Sequence, residues 1–118
     1  MRKTLIAVAA AAMAATGAQA GDLSGTGSST CANLTNLWSQ SAADGRQILK
    51  VLVGQWALGY FTGRNSELPL SQRRELGNLN NDGTADVIIS VCSRNQNLYV
   101  YQVADAFFIN LPYLRAGS

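Results

Sequence analysis

The sequence predicts an all-α domain, a small bundle of about four helices tied by one disulfide. Three observations predict it. Apolar residues recur at three- and four-residue intervals in four separate segments. Residues that favour helix N-caps stand in front of three of these segments. Two cysteines, Cys31 and Cys92, occur in a chain whose opening has the pattern of an export signal.

That opening is MRKTLIAVAAAAMAATGAQA. Arg2 and Lys3 form a basic start, Leu5 to Ala15 is apolar, and Ala18-Gln19-Ala20 fits the small-x-small cleavage rule. The apolar run is shorter than the ~20 residues needed to span a bilayer. A buried amino-terminal helix is the alternative, and three coincident features favour a secretory signal over residues 1–20. The expected location is the periplasm, reached through the Sec pathway, with no stable insertion into the membrane. Cleavage would leave 98 of the 118 residues, enough for one small core. It would also leave seven basic against seven acidic side chains. No basic run remains to follow a phosphate backbone, so no nucleic-acid partner is expected. An even cysteine count in an exported chain points to a Cys31–Cys92 bridge rather than two free thiols. Closing such a loop stabilises a domain by about 4 kcal/mol in the chain-entropy description.

Residues 21–30 are rich in Gly, Ser and Thr and are expected to form a flexible lead-in. Thr30 is a candidate cap for a first helix from Cys31 to about Ser39, with Leu34, Leu37 and Trp38 on its apolar side. A longer helix is expected over about Arg46 to Thr62. On it Ile48, Leu52, Trp56, Gly59, Tyr60 and Gly63 form one stripe, widened by Val51, Leu58 and Phe61. Glycine inside a helix costs about 1 kcal/mol relative to alanine, so each glycine needs a reason. Gly59 is expected to admit a neighbouring backbone, and Gly63 to end the helix as a left-handed residue.

Residues 64–83 are polar and read as a loop with one helical turn around Ser71 to Leu76. Thr84 is the expected cap of a third helix ending near Arg94, with Val87, Ile88, Val91 and Cys92 inward. Asn97 is the expected cap of the last, running to about Asn110, with Val100, Val103, Ala104, Phe107, Phe108 and Leu111 at helical spacing. Pro112 stops it, and the helical domain is taken as 31–112 with a tail over 113–118. DVIISV and LYVYQV are β-rich in composition, so strands stay open there, and the helical spacing favours helices.

The chain has no histidine, which removes the commonest general base and zinc ligand. The carboxylates Asp44, Glu67, Glu75, Asp82, Asp86 and Asp105 show no paired motif, although such pairs can meet in space. NLNNDGTAD matches a calcium loop at Asn78, Asn80, Asp82 and Gly83. It places Ile89 where a bidentate carboxylate is required, so no metal site is expected. No catalytic residue and no cofactor is expected either. The aromatics Trp56, Tyr60, Phe61, Tyr99, Tyr101, Phe107 and Phe108 could line a binding groove, and at helical spacing they fit a core better.

The layout resembles the HdeA/HdeB-like group of small bacterial periplasmic proteins. The resemblance rests on TCANL, on Trp56, Gly59, Tyr60 and Gly63 in WALGYFTGRN, and on GTADVIISVCSRNQ. It implies a helical domain tied by the Cys31–Cys92 bridge. It also implies an acid-stress chaperone, a homodimer at neutral pH, that loosens in acid and binds unfolding clients. The chain is poorer in charge than those chaperones, and Lys50 is the one lysine after the signal. A similar order of signal, Gly-Tyr helix and paired cysteines occurs in immunity proteins that neutralise secreted cell-wall-degrading effectors, which would imply a toxin as partner. Without histidine, an acid response has to come from the carboxylates, at roughly pH 5 and below. The expected client-binding face is Trp56, Tyr60 and Phe61, opening in acid while the bridge holds the chain together.

Overall fold

The computed structural model describes residues 25–115. Within them the chain is all-α: α1 (Cys31–Gln40), α2 (Ala43–Ser66), α3 (Asn81–Ser93) and α4 (Val100–Ile109), with 3-10 turns at Gly25–Ser28 and Leu70–Gln72. The proposed signal, 1–20, lies outside the described residues, as do 21–24 and 116–118.

Local chemistry sets the helix starts. Thr30 caps α1 as expected, its hydroxyl accepting from the Asn33 N–H at 3.0 Å. Asn80 caps α3, accepting from the Gly83 N–H at 2.7 Å. At the start of α4 the Gln102 side chain reaches back to accept from the Tyr99 N–H at 2.9 Å. Such caps satisfy amide groups that the first helical turn leaves without partners.

The core lies where α2, α3 and α4 meet, around Val53, Ala57, Phe61, Ile88, Val103 and Phe108, all buried. The Cys31–Cys92 disulfide joins the first residue of α1 to the end of α3, with Cα atoms 4.8 Å apart and both cysteines buried. Residues 25–30, expected in the flexible lead-in, instead pack against α2 and α4 with Thr26 and Gly27 buried. The Val100 N–H donates to Ser29 O and the Cys31 N–H to Leu98 O, fastening this segment to the start of α4. At the other end, the expected tail pairs with the loop after α2. Glu75 N–H donates to Pro112 O, and Leu114 N–H to Arg73 O, both at 2.8 Å.

Several expectations are corrected. Helix α2 begins three residues earlier than predicted and continues through Ser66, past Gly63. Gly63 therefore does not stop it, and Gly25 is the described glycine with positive φ. The buried stripe of α2 is Leu49, Val53, Gly54, Ala57 and Phe61, one position round from the expected one. Ile48, Val51 and Leu52 are exposed. This helix is apolar over much of its girth, so periodicity alone leaves more than one stripe available. The face carrying Lys50 and Arg64 turns inward because both cations find carboxylates on neighbouring helices. The glycine needed for close approach is Gly54, not Gly59. A Cβ on Gly54 would overlap the Asn81 carbonyl, whereas one on Gly59 or Gly63 would meet open space.

Thr84 is not a cap. It lies buried inside α3, its hydroxyl without a hydrogen-bond partner, because Asn80 takes the capping role four residues earlier. Tyr99, not Asn97, precedes α4. DVIISV is helical throughout, and LYVYQV is helical from Val100 onward, with Tyr99 just before it in an isolated antiparallel bridge to Thr30.

Candidate functional site

Trp56, Tyr60 and Arg64 follow one another at four-residue intervals along α2, so they rise as a ladder on one side of the helix. The Trp56 and Tyr60 rings stack, centroids 4.9 Å apart and planes within 13°. The Arg64 guanidinium lies over the Phe108 ring at 4.9 Å. Asp105 on α4 closes the ladder. Its carboxylate accepts from the Tyr60 hydroxyl at 2.7 Å and pairs with Arg64. Burial first, and then the hydrogen bond to Asp105, raises the Tyr60 pKa above its ordinary 10.0.

Behind this ladder sits an aromatic cluster. Phe61 is fully buried, with the Phe107 and Phe108 rings at 5.4 and 5.7 Å. The edge of Trp56 rests on Gly27, where any side chain would overlap the indole. The expected client-binding face is thus closed in this fold. Trp56 and Tyr60 are half-buried and Phe61 contributes no surface. Gly59 and Gly63 stand beside the ladder on the exposed side of α2.

A second electrostatic contact holds α2 to α3. Lys50 Nζ lies 2.8 Å from Asp82 and 2.9 Å from Asp86. The two carboxylates are four residues apart, on one side of α3, and grip the ammonium between them. Their hydrogen bonds, that to Asp82 first, raise the Lys50 pKa above 10.5. The sequence shows no pairing among Asp82, Asp86 and Asp105. The Asp82–Asp86 spacing has meaning only once the helix is known to start at Asn81, before Asp82 rather than after it.

Between α3 and α4 runs an apolar groove of about 330 Å³, lined by Val87, Val91, Val103, Ala106, Phe107 and Leu111. Phe107 forms part of its wall and also packs on Phe61, so the groove borders the aromatic cluster. Among the described residues no group of three or more His, Cys, Asp or Glu side chains could hold a metal ion. Asn80 and Asp82, weighed above as calcium ligands, serve as the α3 cap and the Lys50 partner. No helix among the described residues is long and apolar enough to cross a membrane. Comparisons with known protein families, with curated proteins and with solved structures find no match to this chain.

Proposed function

We propose that this chain is a periplasmic, non-catalytic binding protein of the HdeA/HdeB-like kind, which loosens in acid and holds unfolding client proteins. One observation carries the reading. Every ion pair among the described residues joins α2 to a neighbouring helix, and the negative member is always an aspartate: Asp82 and Asp86 on α3, Asp105 on α4. Acid neutralises all three. Lys50 and Arg64 then remain charged against partners that no longer attract them, and the net charge of the domain climbs. The helix so released is the one that covers the aromatic cluster. The disulfide does not titrate, so α1 and α3 stay joined while α2 and α4 part. Trp56, Tyr60, Phe61 and Phe107 would then offer apolar surface to a client.

The test mixes the purified mature chain with a periplasmic enzyme denatured in acid and follows light scattering. The chaperone reading expects client aggregation to be suppressed at low pH and unaffected at neutral pH. Scattering that is unchanged at low pH contradicts it. A tight stoichiometric complex with a cell-wall-degrading effector at neutral pH would establish the immunity role instead.

A further inference from the structure

A cleft of about 260 Å³ opens between α1 and α3, lined by Trp38, Asp86, Ile89, Ser90 and Ser93. It shares no residue with the aromatic ladder or with the apolar groove. Asp86, Ser90 and Ser93 stand at i, i+4 and i+7 of α3, so they form a row along one side of that helix. Ile89, buried, adds an apolar floor. Trp38 comes from the last turns of α1 and is half-buried. Arg46 fixes it: its Nε donates to the Trp38 carbonyl at 2.9 Å, and its guanidinium lies over the indole at 4.9 Å. The fold thus sets a held aromatic surface against a row of small polar groups.

Each of those polar groups is only partly used. Asp86 gives Oδ1 to Lys50 at 2.9 Å, and its side chain is 58% exposed, so Oδ2 is left to accept. Ser93 donates its proton to the Ser90 carbonyl at 2.6 Å and keeps its oxygen as an acceptor. Ser90 accepts from Arg94 Nη1 at 2.8 Å and keeps its own proton to donate. The cleft therefore offers acceptors and a donor side by side. Around it Asp82 and Asp86 are set against Lys50, Arg46 and Arg94, so neither sign of charge dominates and an ion gains little by entering.

A ligand matched to this site carries hydroxyl groups, which both donate and accept, together with a C–H surface for the indole and no net charge. A pyranose ring has that combination, with hydroxyls around its edge and C–H bonds on its faces. We propose that the cleft of Trp38, Asp86, Ser90 and Ser93 binds one neutral pyranose ring, its C–H surface on the indole and neighbouring hydroxyls on the α3 row. At about 260 Å³ the cleft is just below the ~300–1,000 Å³ usual for small-molecule sites, which fits a single ring rather than a longer saccharide. Hydrogen bonds to exposed groups add little each, so binding is weak, in the millimolar range. It is independent of the acid response proposed above and is tested at neutral pH, where the Lys50–Asp86 pair is intact.

The test titrates the mature, ¹⁵N-labelled chain with methyl β-glucopyranoside and with its N-acetylglucosamine counterpart, following amide and indole N–H signals by NMR. At least one of the two sugars should give saturable shifts at the Trp38 indole and at the Ser90 and Ser93 amides, with none at the Trp56 indole. Glycerol, which has hydroxyls but no ring, should give no saturable shift. Ser90 and Ser93 are exposed helix positions where alanine is tolerated, so a Ser90→Ala, Ser93→Ala double variant keeps the fold. It should bind about tenfold more weakly, the loss expected for two hydrogen bonds between neutral groups. The proposal is overturned if neither sugar gives saturable shifts at concentrations well above millimolar, if the double variant binds as the parent does, or if glycerol saturates the same signals.

Discussion

The Tyr60 hydroxyl on α2 donates a hydrogen bond to the Asp105 carboxylate on α4 at 2.7 Å, and Arg64, one turn along from Tyr60, pairs with the same carboxylate. One carboxylate thus receives two donors from one helix and pins that helix over the Phe61–Phe107–Phe108 cluster. Asp105→Ala should lower stability at neutral pH by about 1–2 kcal/mol. That is the low end for hydrogen bonds to a charged group, because the Arg64–Asp105 pair is partly exposed. The unfolding midpoint in urea measures it.

The two glycine positions should behave oppositely. Gly54→Ala forces a methyl group against the Asn81 backbone carbonyl, and should cost about 1–3 kcal/mol as overpacked contacts do. Gly59→Ala meets nothing in its own chain, and should stabilise the monomer by up to about 1 kcal/mol through helix propensity. Urea titrations at low protein concentration give both values. A Gly59→Ala chain less stable than the parent would mean that a contact closes over that face even in the monomer.

Reducing the Cys31–Cys92 bond should remove about 4 kcal/mol, the loop-closure entropy restored to an unfolded chain whose cysteines are 61 residues apart. The native protein should show no titratable thiol before reduction. A melting temperature unchanged by reduction would contradict this.

At alkaline pH the expected sign is a loss of stability. Lys50 is raised by its hydrogen bonds to Asp82 and Asp86, and Tyr60 by burial and the bond to Asp105. The folded chain therefore holds both protons more tightly than the unfolded one does. The stability they contribute is complete below the unfolded values and fades as pH rises through the folded ones. The urea midpoint should hold up to about pH 10, near the ordinary values of the two groups, and fall above it. Tyr60→Phe should make that fall shallower. A midpoint that rises above this pH would contradict the assignment.

The sequence made visible what is decided within a few residues. Thr30 capping α1 is a local contact, and the helical spacing of Val100, Val103, Ala104 and Phe108 is a local pattern. Where two local solutions competed, a distant residue chose between them. Asn80 and Thr84 are both good caps. Starting at Asn80 puts Asp82 and Asp86 on one helix face, within reach of Lys50 on α2, far off in sequence. The same holds for α2, whose buried stripe follows the partners of Lys50 and Arg64 and the passage of Asn81 across Gly54. The loop after α2 left no periodic signal. Its order comes from Asn65, whose side chain bonds both the N–H and the carbonyl of Arg74, and from Arg74, which reaches the Ile109 and Leu111 carbonyls at the end of α4. Of the site, Trp56, Tyr60 and Phe61 were legible as a group. Their partner Asp105 lies 45 residues beyond Tyr60 and carries no motif.

The most direct measurement of the proposed role is an acid titration of the intact, disulfide-bonded chain, following near-ultraviolet circular dichroism and the fluorescence of an apolar dye together. Opening of α2 in acid predicts that the tertiary signal is lost below about pH 4, the range in which carboxylates in general take up protons. Dye binding should rise over the same interval, with the disulfide unbroken. A chain that keeps its full near-ultraviolet signal and binds no dye down to about pH 2, well below that range, would contradict the account.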